Sequence, residues 1–376
     1  MKEFCKMGDY VSKEECKIPE LNEQEVKAIV SRWVRVLKIS LGWICDFDKI
    51  VIKYVKHFKL LKVLRGHAGT IRSIRFSADN RKVVSVADGG LSFSTSLDRT
   101  IRVWDVASSN QIQMFKGYFG CIYSAEFSPK KDIVASCSED GIIRLWDVDT
   151  GEELKKMKGD AYSVFCVNFS SDGKYIVSGS SAKTIRLWDV HSGNEIQRLE
   201  GHSQGISSVK FSFDGQMIVS SSFDKTIGLW NVKTGERLKQ FIGHSGTVSS
   251  ANFSPDNQYI VSCSWDKTIR IWSVESGKQL QILEGHSDIV NEAKYFPDHQ
   301  TIISCSNDHT IRIWDVKTGS EIQRLERHSG FVSCVDISSD GDTIVSCSFD
   351  KTIRIWRFND KDKNKLVLIT ISLELQ

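Results

Sequence analysis

Residues 243–284 read GHSGTVSSANFSPDNQYIVSCSWDKTIRIWSVESGKQLQILE, and the fold follows from how that stretch is punctuated. Gly243-His244 opens it. Residues 248–253 alternate apolar and polar side chains as a strand, Pro255-Asp256-Asn257 turns, and 259–264 form a second strand. Asp266-Lys267 turns into a third strand at 268–272, Ser276-Gly277 turns again, and 279–283 make a fourth before Gly285-His286 restarts the cycle.

The same unit recurs on both sides. Trp104, Trp146, Trp188, Trp230, Trp272, Trp314 and Trp356 stand 42 residues apart. A fixed period of this length signals an array. Each unit is too short to bury its own apolar face, so neighbours must stack and share a core. Four short strands per unit make a propeller blade, and seven units close a ring. The expected fold is all-β: a seven-bladed β-propeller with a short α-helical N-terminal extension.

Composition agrees with a globular chain: 40% hydrophobic and 26% charged residues in 376. No stretch approaches the roughly 18 uninterrupted apolar residues of a membrane span. The N-terminus, with Glu3, Asp9, Glu14 and Glu15, lacks the basic-then-apolar order of a signal peptide. Of ten cysteines, Cys137, Cys263, Cys305 and Cys347 share one repeat position, where other units carry Gly179 or Ser221. That is exchange among small buried residues, and free thiols suit a reducing compartment. A cytoplasmic or nuclear protein is expected. Residues 1–65 hold 14 Lys/Arg against 9 Asp/Glu, leaving 36 against 38 over the rest. The repeat array is therefore nearly neutral and carries no phosphate-binding field, so nucleic acid is not an expected partner.

The repeats resemble the WD-repeat family, the β-transducin-like propellers, across about five sixths of the chain: the Gly-His pair, the turn aspartate and the Trp-Asp end recur at fixed offsets. The resemblance implies a hydrogen-bonded structural tetrad in each blade. Complete sets are His202, Ser220, Asp224 and Trp230; His244, Ser262, Asp266 and Trp272; His286, Ser304, Asp308 and Trp314; and His328, Ser346, Asp350 and Trp356. Repeat two has Tyr118 in place of the histidine, and repeat three has Asp160 and Ala182 in place of histidine and aspartate, so these blades should be the least rigid. Repeat one keeps His67, Asp98 and Trp104 but carries an insertion near Val86–Ser94, expected as a loop extension between its second and third strands.

The resemblance also implies that partners meet the wide face of the ring, at the residue before each turn aspartate and at residues entering the first strand. Carried over, these are Leu97, Glu139, Ser181, Phe223, Trp265, Asn307 and Phe349, and Arg72, Tyr123, Phe165, Ser207, Ser249, Asn291 and Ser333, with Phe331 nearby. Arg72, Leu97, Tyr123, Glu139, Phe165, Phe223, Trp265, Asn307, Phe331 and Phe349 are the candidate binding residues, since identity varies there within otherwise uniform units. Aromatics with an arginine are favoured interface anchors. Other proteins or peptides, within a multiprotein complex, are the expected partners.

The expected domains are an extension at 1–58, with helices at about 22–41 and 46–58; a propeller at 59–358; and a tail at 359–376 with a further strand. Two segments compete to supply the last blade's fourth strand, 59–65 and the β-rich run 366–373. Closure by the first is favoured because it pins both ends of the array. The extension's basic face, with Lys27, Arg32, Arg35, Lys38, Lys49, Lys53 and Lys56, leaves a second reading open: a peripheral membrane or nucleic-acid adaptor.

Enzymatic signatures are missing. There is no Gly-x-x-x-x-Gly-Lys loop, His-Glu-x-x-His or Cys-x-x-Cys. His57, His191, His299 and His309 lack metal-ligand spacing. No catalytic residue, metal or cofactor is expected. Arg102, Arg144, Arg186, Arg270, Arg312 and Arg354, each two residues before a tryptophan, are expected to pack between blades.

Overall fold

The computed structural model describes residues 57–88, 98–118, 120–159 and 162–358. The expected helices over 22–41 and 46–56, the tail strand 366–373, the inserted residues 89–97, including Leu97, and Asp160 lie outside the described residues.

Seven four-stranded antiparallel sheets are present. In the blade of residues 248–283 the strands are Val248–Phe253, Tyr259–Ser264, Ile269–Ser273 and Gln279–Leu283, from innermost to outermost. Gly277, at φ 72°, lets the chain reverse between the last two strands, where a side chain would be strained. Burial follows position: the second strand, Tyr259–Ser264, is buried from its second residue on, whereas the outermost strand keeps only Leu283 buried. Each inter-blade core mixes two units. One such core joins Ile269, Ile271 and Leu283 of one blade to Val290, Tyr295, Ile302 and Trp314 of the next, which is why a single unit cannot stand alone.

The last blade is built from both ends of the array. Phe58–Arg65 lies antiparallel to Thr352–Phe358, with Phe58 opposite Phe358, Leu60 opposite Trp356 and Arg65 opposite Thr352. Phe58, expected on sequence at the end of a helix, is the first residue of this strand. Its ring is buried between Phe296 and Phe358, at 5.8 and 6.4 Å, and that apolar seat is the physical reason for the difference. Val86, Ala87 and Asp88, read as the start of the insertion, instead finish the buried second strand Lys82–Asp88.

Two register shifts recur around the ring. One falls near the tryptophan, between the third and outermost strands. The other falls in each innermost strand and leaves one extra residue: Arg72, Tyr123, Phe165, Ser207, Ser249, Asn291 or Ser333. A bulge bends the strand and re-aims that side chain.

Candidate functional site: the bulge rim and the polar networks beneath it

Inside the blades the tetrad residues meet. His244 Nδ1 lies 2.8 Å from Asp266 and its Nε2 2.8 Å from Ser262 Oγ, and Trp272 donates its indole N–H to the same oxygen at 2.8 Å. The chemistry orders the protons: indole N–H to serine oxygen, serine O–H to imidazole Nε2, and imidazole Nδ1–H to carboxylate. The sets at His202, Ser220, Asp224 and Trp230, at His286, Ser304, Asp308 and Trp314 and at His328, Ser346, Asp350 and Trp356 have the same geometry. Burial pushes these histidines below their ordinary value, against the pull of the adjacent aspartate. Satisfied on every side and closed to solvent, the groups hold the blade together.

A fifth tetrad is formed by His67, Ser85, Asp98 and Trp104, with contacts of 2.7–2.8 Å. Sequence reading passed over Ser85, although it follows His67 by the same 18 residues that separate His244 from Ser262. The insertion falls after that serine. In the second blade Tyr118 replaces histidine, its hydroxyl 2.6 Å from Ser136 Oγ, which also accepts from Trp146. Asp140 there turns to Arg144 at 2.6 Å.

The bulge residues and those preceding the turn aspartates share one end of the blades. The backbone N–H groups of Glu139, Ser181, Phe223, Trp265, Asn307 and Phe349 donate to the carbonyls of Cys121, Ser163, Gly205, Thr247, Ile289 and Phe331, each two residues before a bulge. The rim is thus fixed by main chain, while its side chains vary.

Those side chains form two aromatic groups. Arg72 caps the ring of Tyr123 at 5.6 Å, Tyr123 meets Phe165 edge-on at 4.9 Å, and Phe165 meets Phe223 at 5.7 Å. Further round, His309, Phe331 and Phe349 pack in sequence at 5.7 and 5.6 Å. Trp265 stands between the groups, 51% exposed, and has no ring partner among the described residues. The rim charges are already engaged: Arg72 pairs with buried Asp88 at 2.7 Å, and Glu139 accepts from the Cys121 N–H. Asn307 receives a hydrogen bond from Asn291, which also donates to Val332 of the next blade. Ser207 and Ser333 likewise reach Val248 and Ile71 carbonyls across blade boundaries. Ser207, Asn291 and Ser333 of the second ring therefore stitch blades together.

Below the rim the innermost strands carry a ring of polar residues that sequence reading missed: Arg75, Glu126, Asn168, Lys210, Asn252, Lys294 and Asp336, joined by Glu292. Arg75 pairs with Glu292 at 2.8 Å, Lys294 with Asp336 at 2.8 Å, Lys210 with Glu126 at 2.9 Å, and Asn168 donates to Glu126 at 2.6 Å. Burial alone would raise the Glu292 carboxyl, but Arg75 and Lys294 hold it at about 2. The missed signal was positional: the residues sit one per repeat, but their changing identity hides the period.

The strand-three arginines work within their own blades. Arg312 reaches Glu321 at 2.6 Å, Arg102 reaches Gln111 at 2.8 Å, and Arg186 pairs with Glu195, each partner coming from the blade's own outermost strand. The bulge beside each tryptophan brings these acceptors alongside. Among the described residues no group of three or more His, Cys, Asp or Glu is placed to hold a metal ion.

Seven four-stranded blades, five of them pinned by a histidine, serine, aspartate and tryptophan network between turn and third strand, define a WD-type β-propeller. The chain belongs to the family described as WD domain, G-beta repeat, whose pattern matches residues 58–105, 109–147, 151–189, 193–231, 235–273, 277–315 and 319–357. It is also similar to the uncharacterized WD repeat-containing protein sll1491 of Synechocystis sp., 32% identical over 82 residues, which are 22% of this chain and 21% of that protein. The chain thus spans about a fifth of the length of that curated relative.

Proposed function

We propose that this protein is a non-enzymatic interaction scaffold that binds a peptide or protein segment on the bulge rim. The family is one of protein-interaction propellers, and one observation carries the finer reading: a backbone-fixed rim presents Tyr123, Phe165 and Phe223, then Trp265, then Phe331 and Phe349 around one opening. Aromatic side chains on a rigid base offer large contact area with little ordering entropy left to lose. Because Arg72 and Glu139 are already engaged, recognition rests on apolar and stacking contacts, and a segment carrying aliphatic or aromatic side chains fits best. Residence in the cytoplasm or nucleus is part of this proposal, supported by seven free cysteines among the described residues.

The test is affinity capture by the intact protein and by the Phe223→Ala, Trp265→Ala, Phe349→Ala triple variant, with melting temperatures measured in parallel. Partners lost from a variant that melts within a few degrees of the parent support the rim. Identical partners on both would reject it and direct attention to residues 1–65, where salt-sensitive binding to liposomes or nucleic acid tests the adaptor reading.

A further inference from the structure

One blade breaks the pattern around its tryptophan in two places at once. The residue before the tetrad histidine is Gly66, Gly201, Gly243 or Gly285 in other intact blades, and Arg327 in the last. A Cβ at Gly243 would come within 2.9 Å of both the Arg270 guanidinium and the Trp272 ring, and one at Gly285 within 2.7 Å of Arg312. Glycine there lets the strand-three arginine lie flat beside its tryptophan. The second departure is on the outermost strand, opposite the tryptophan. Glu195, Gln279 and Glu321 occupy that place in their blades, but Leu60 lies opposite Trp356.

Both departures fall on Arg354. Its counterparts Arg102, Arg270 and Arg312 each bond an outer-strand acceptor through Nη1 and a threonine hydroxyl through Nε. Arg354 has neither bond: its Nε is buried without a partner, and its nearest carboxylate, Asp350 at 3.8 Å, already serves His328 and Thr352. Burial lowers its pKa, and although Asp350 opposes this, the charges of Arg65 and Arg327 lower it further. The fourth blade shows how the fold handles a change here. Gly228 replaces the arginine, and Arg237 from the outer strand takes its place over Trp230, still as one guanidinium. In the last blade, Arg65 and Arg327 come close enough to Arg354 to act on its charge.

Two of these guanidiniums, Arg327 and Arg354, stand in the wall of a cleft of about 800 Å³ between the last two blades, with Phe58, Leu325 and Trp356 among its apolar lining. The carboxylate of the lining, Glu326, and the nearby Glu321 are both engaged by Arg324, at 3.4 and 3.0 Å. Among the described residues the side chains of Arg65 and Arg327 have no acidic partner, so the positive charge is uncompensated.

We infer that this cleft, formed by Arg327 and Arg354 beside Phe58 and Trp356, binds a phosphorylated serine or threonine side chain of a partner protein. A phosphate brings about −1.5 to −2 charges and three acceptor oxygens, matched to two guanidinium forks, whereas a carboxylate brings two oxygens and a single charge. The apolar lining suits the stem and neighbours of a peptide. A membrane would need apolar side chains projecting from a flat basic surface, but Phe58 and Trp356 are each 2% exposed. The site lies between the outer strands, separate from the bulge rim.

The test uses the full chain, immobilised, and peptide libraries with degenerate flanks around a fixed phosphoserine, serine or glutamate, alongside vesicles containing phosphoinositide. The phosphoserine library is expected to be retained at least tenfold over the other two. Arg327→Gly, which installs the residue of the other blades, and Leu60→Gln, which returns an acceptor to Arg354, should each abolish that preference. Arg327→Gly should melt no lower than the parent, which separates loss of the site from loss of the fold. The triple rim variant should keep the preference, so the two sites stand or fall separately. No preference for phosphoserine, a preference equally strong in Arg327→Gly, equal retention of the glutamate library, or Arg327-dependent binding to vesicles alone would each overturn the assignment.

Discussion

The hydroxyl of Tyr118 lies 2.6 Å from Ser136 Oγ, in the place that a histidine nitrogen takes in five other blades. The ring also carries the Arg144 guanidinium on its face at 4.9 Å, so one substitution redirected a whole network. Removing the hydroxyl with Tyr118→Phe should lower stability by about 1–2 kcal/mol in urea denaturation, since a buried partner is left unmet. Ser136→Ala leaves both Tyr118 and the Trp146 N–H without their acceptor and should cost about twice as much. Equal losses would show that the serine is not shared.

Glu292 is the carboxylate to which Arg75 and Lys294 both turn inside the ring, at 2.8 and 3.4 Å. Glu292→Gln leaves the buried Arg75 without its carboxylate, while Lys294 keeps Asp336 at 2.8 Å, and should destabilise by about 3–5 kcal/mol. Glu292→Gln combined with Arg75→Met should recover part of that loss; a double variant weaker than the sum of the singles would contradict the coupling.

Acid should weaken the propeller. Burial lowers the pKa of His67, His202, His244, His286 and His328, outweighing the aspartate beside each. A lowered histidine pKa means the unfolded chain takes up the proton first, so this stability is complete above about 6.5 and lost as pH falls below it. Burial raises the aspartates, but hydrogen bonds from histidine and threonine more than reverse this and hold Asp98, Asp266, Asp308 and Asp350 well below the carboxylate range. Their contribution is present above about 3.8 and is lost on further acidification. Urea midpoints should stay level from pH 8 to 7 and fall from 6.5 to 4. A midpoint that rises on acidification would refute the neutral-histidine network.

Deleting residues 1–65 removes the closing strand, including buried Phe58 and Leu64, and exposes the edge of Thr352–Phe358. The melting temperature should drop by roughly 10 °C or more, as expected for the loss of several buried side chains. An unchanged melting temperature would mean that another segment can close the ring.

The blades were legible because Trp272 and its equivalents hold one spacing and one chemical role, and a period survives any single exception such as Tyr118. Positions that repeat in place but vary in kind were partly legible. Phe223 and Trp265 stood out against uniform neighbours, yet only coordinates show that Tyr123 and Phe165 are bulge residues, since a register shift depends on the facing strand. Arg75 and Glu292 escaped notice because ion pairs across the ring join strands far apart in sequence. Phe58 was misplaced for a related reason: its neighbours Phe296 and Phe358 come from the last two blades, so its local helical pattern carried no trace of them.

Phe58–Arg65 also sets a timetable. It leaves the ribosome before any of the blades, and its hydrogen-bonding partner, Thr352–Phe358, leaves after all of them. At roughly 5–20 residues per second of synthesis, that interval is on the order of tens of seconds. Throughout it, both faces destined for the final seam stay open to water, and the nascent ring is a stack with two adhesive ends. A chaperone that shields either end, or a neighbouring nascent chain that pairs with it, would decide whether translation yields closed monomers or linked chains.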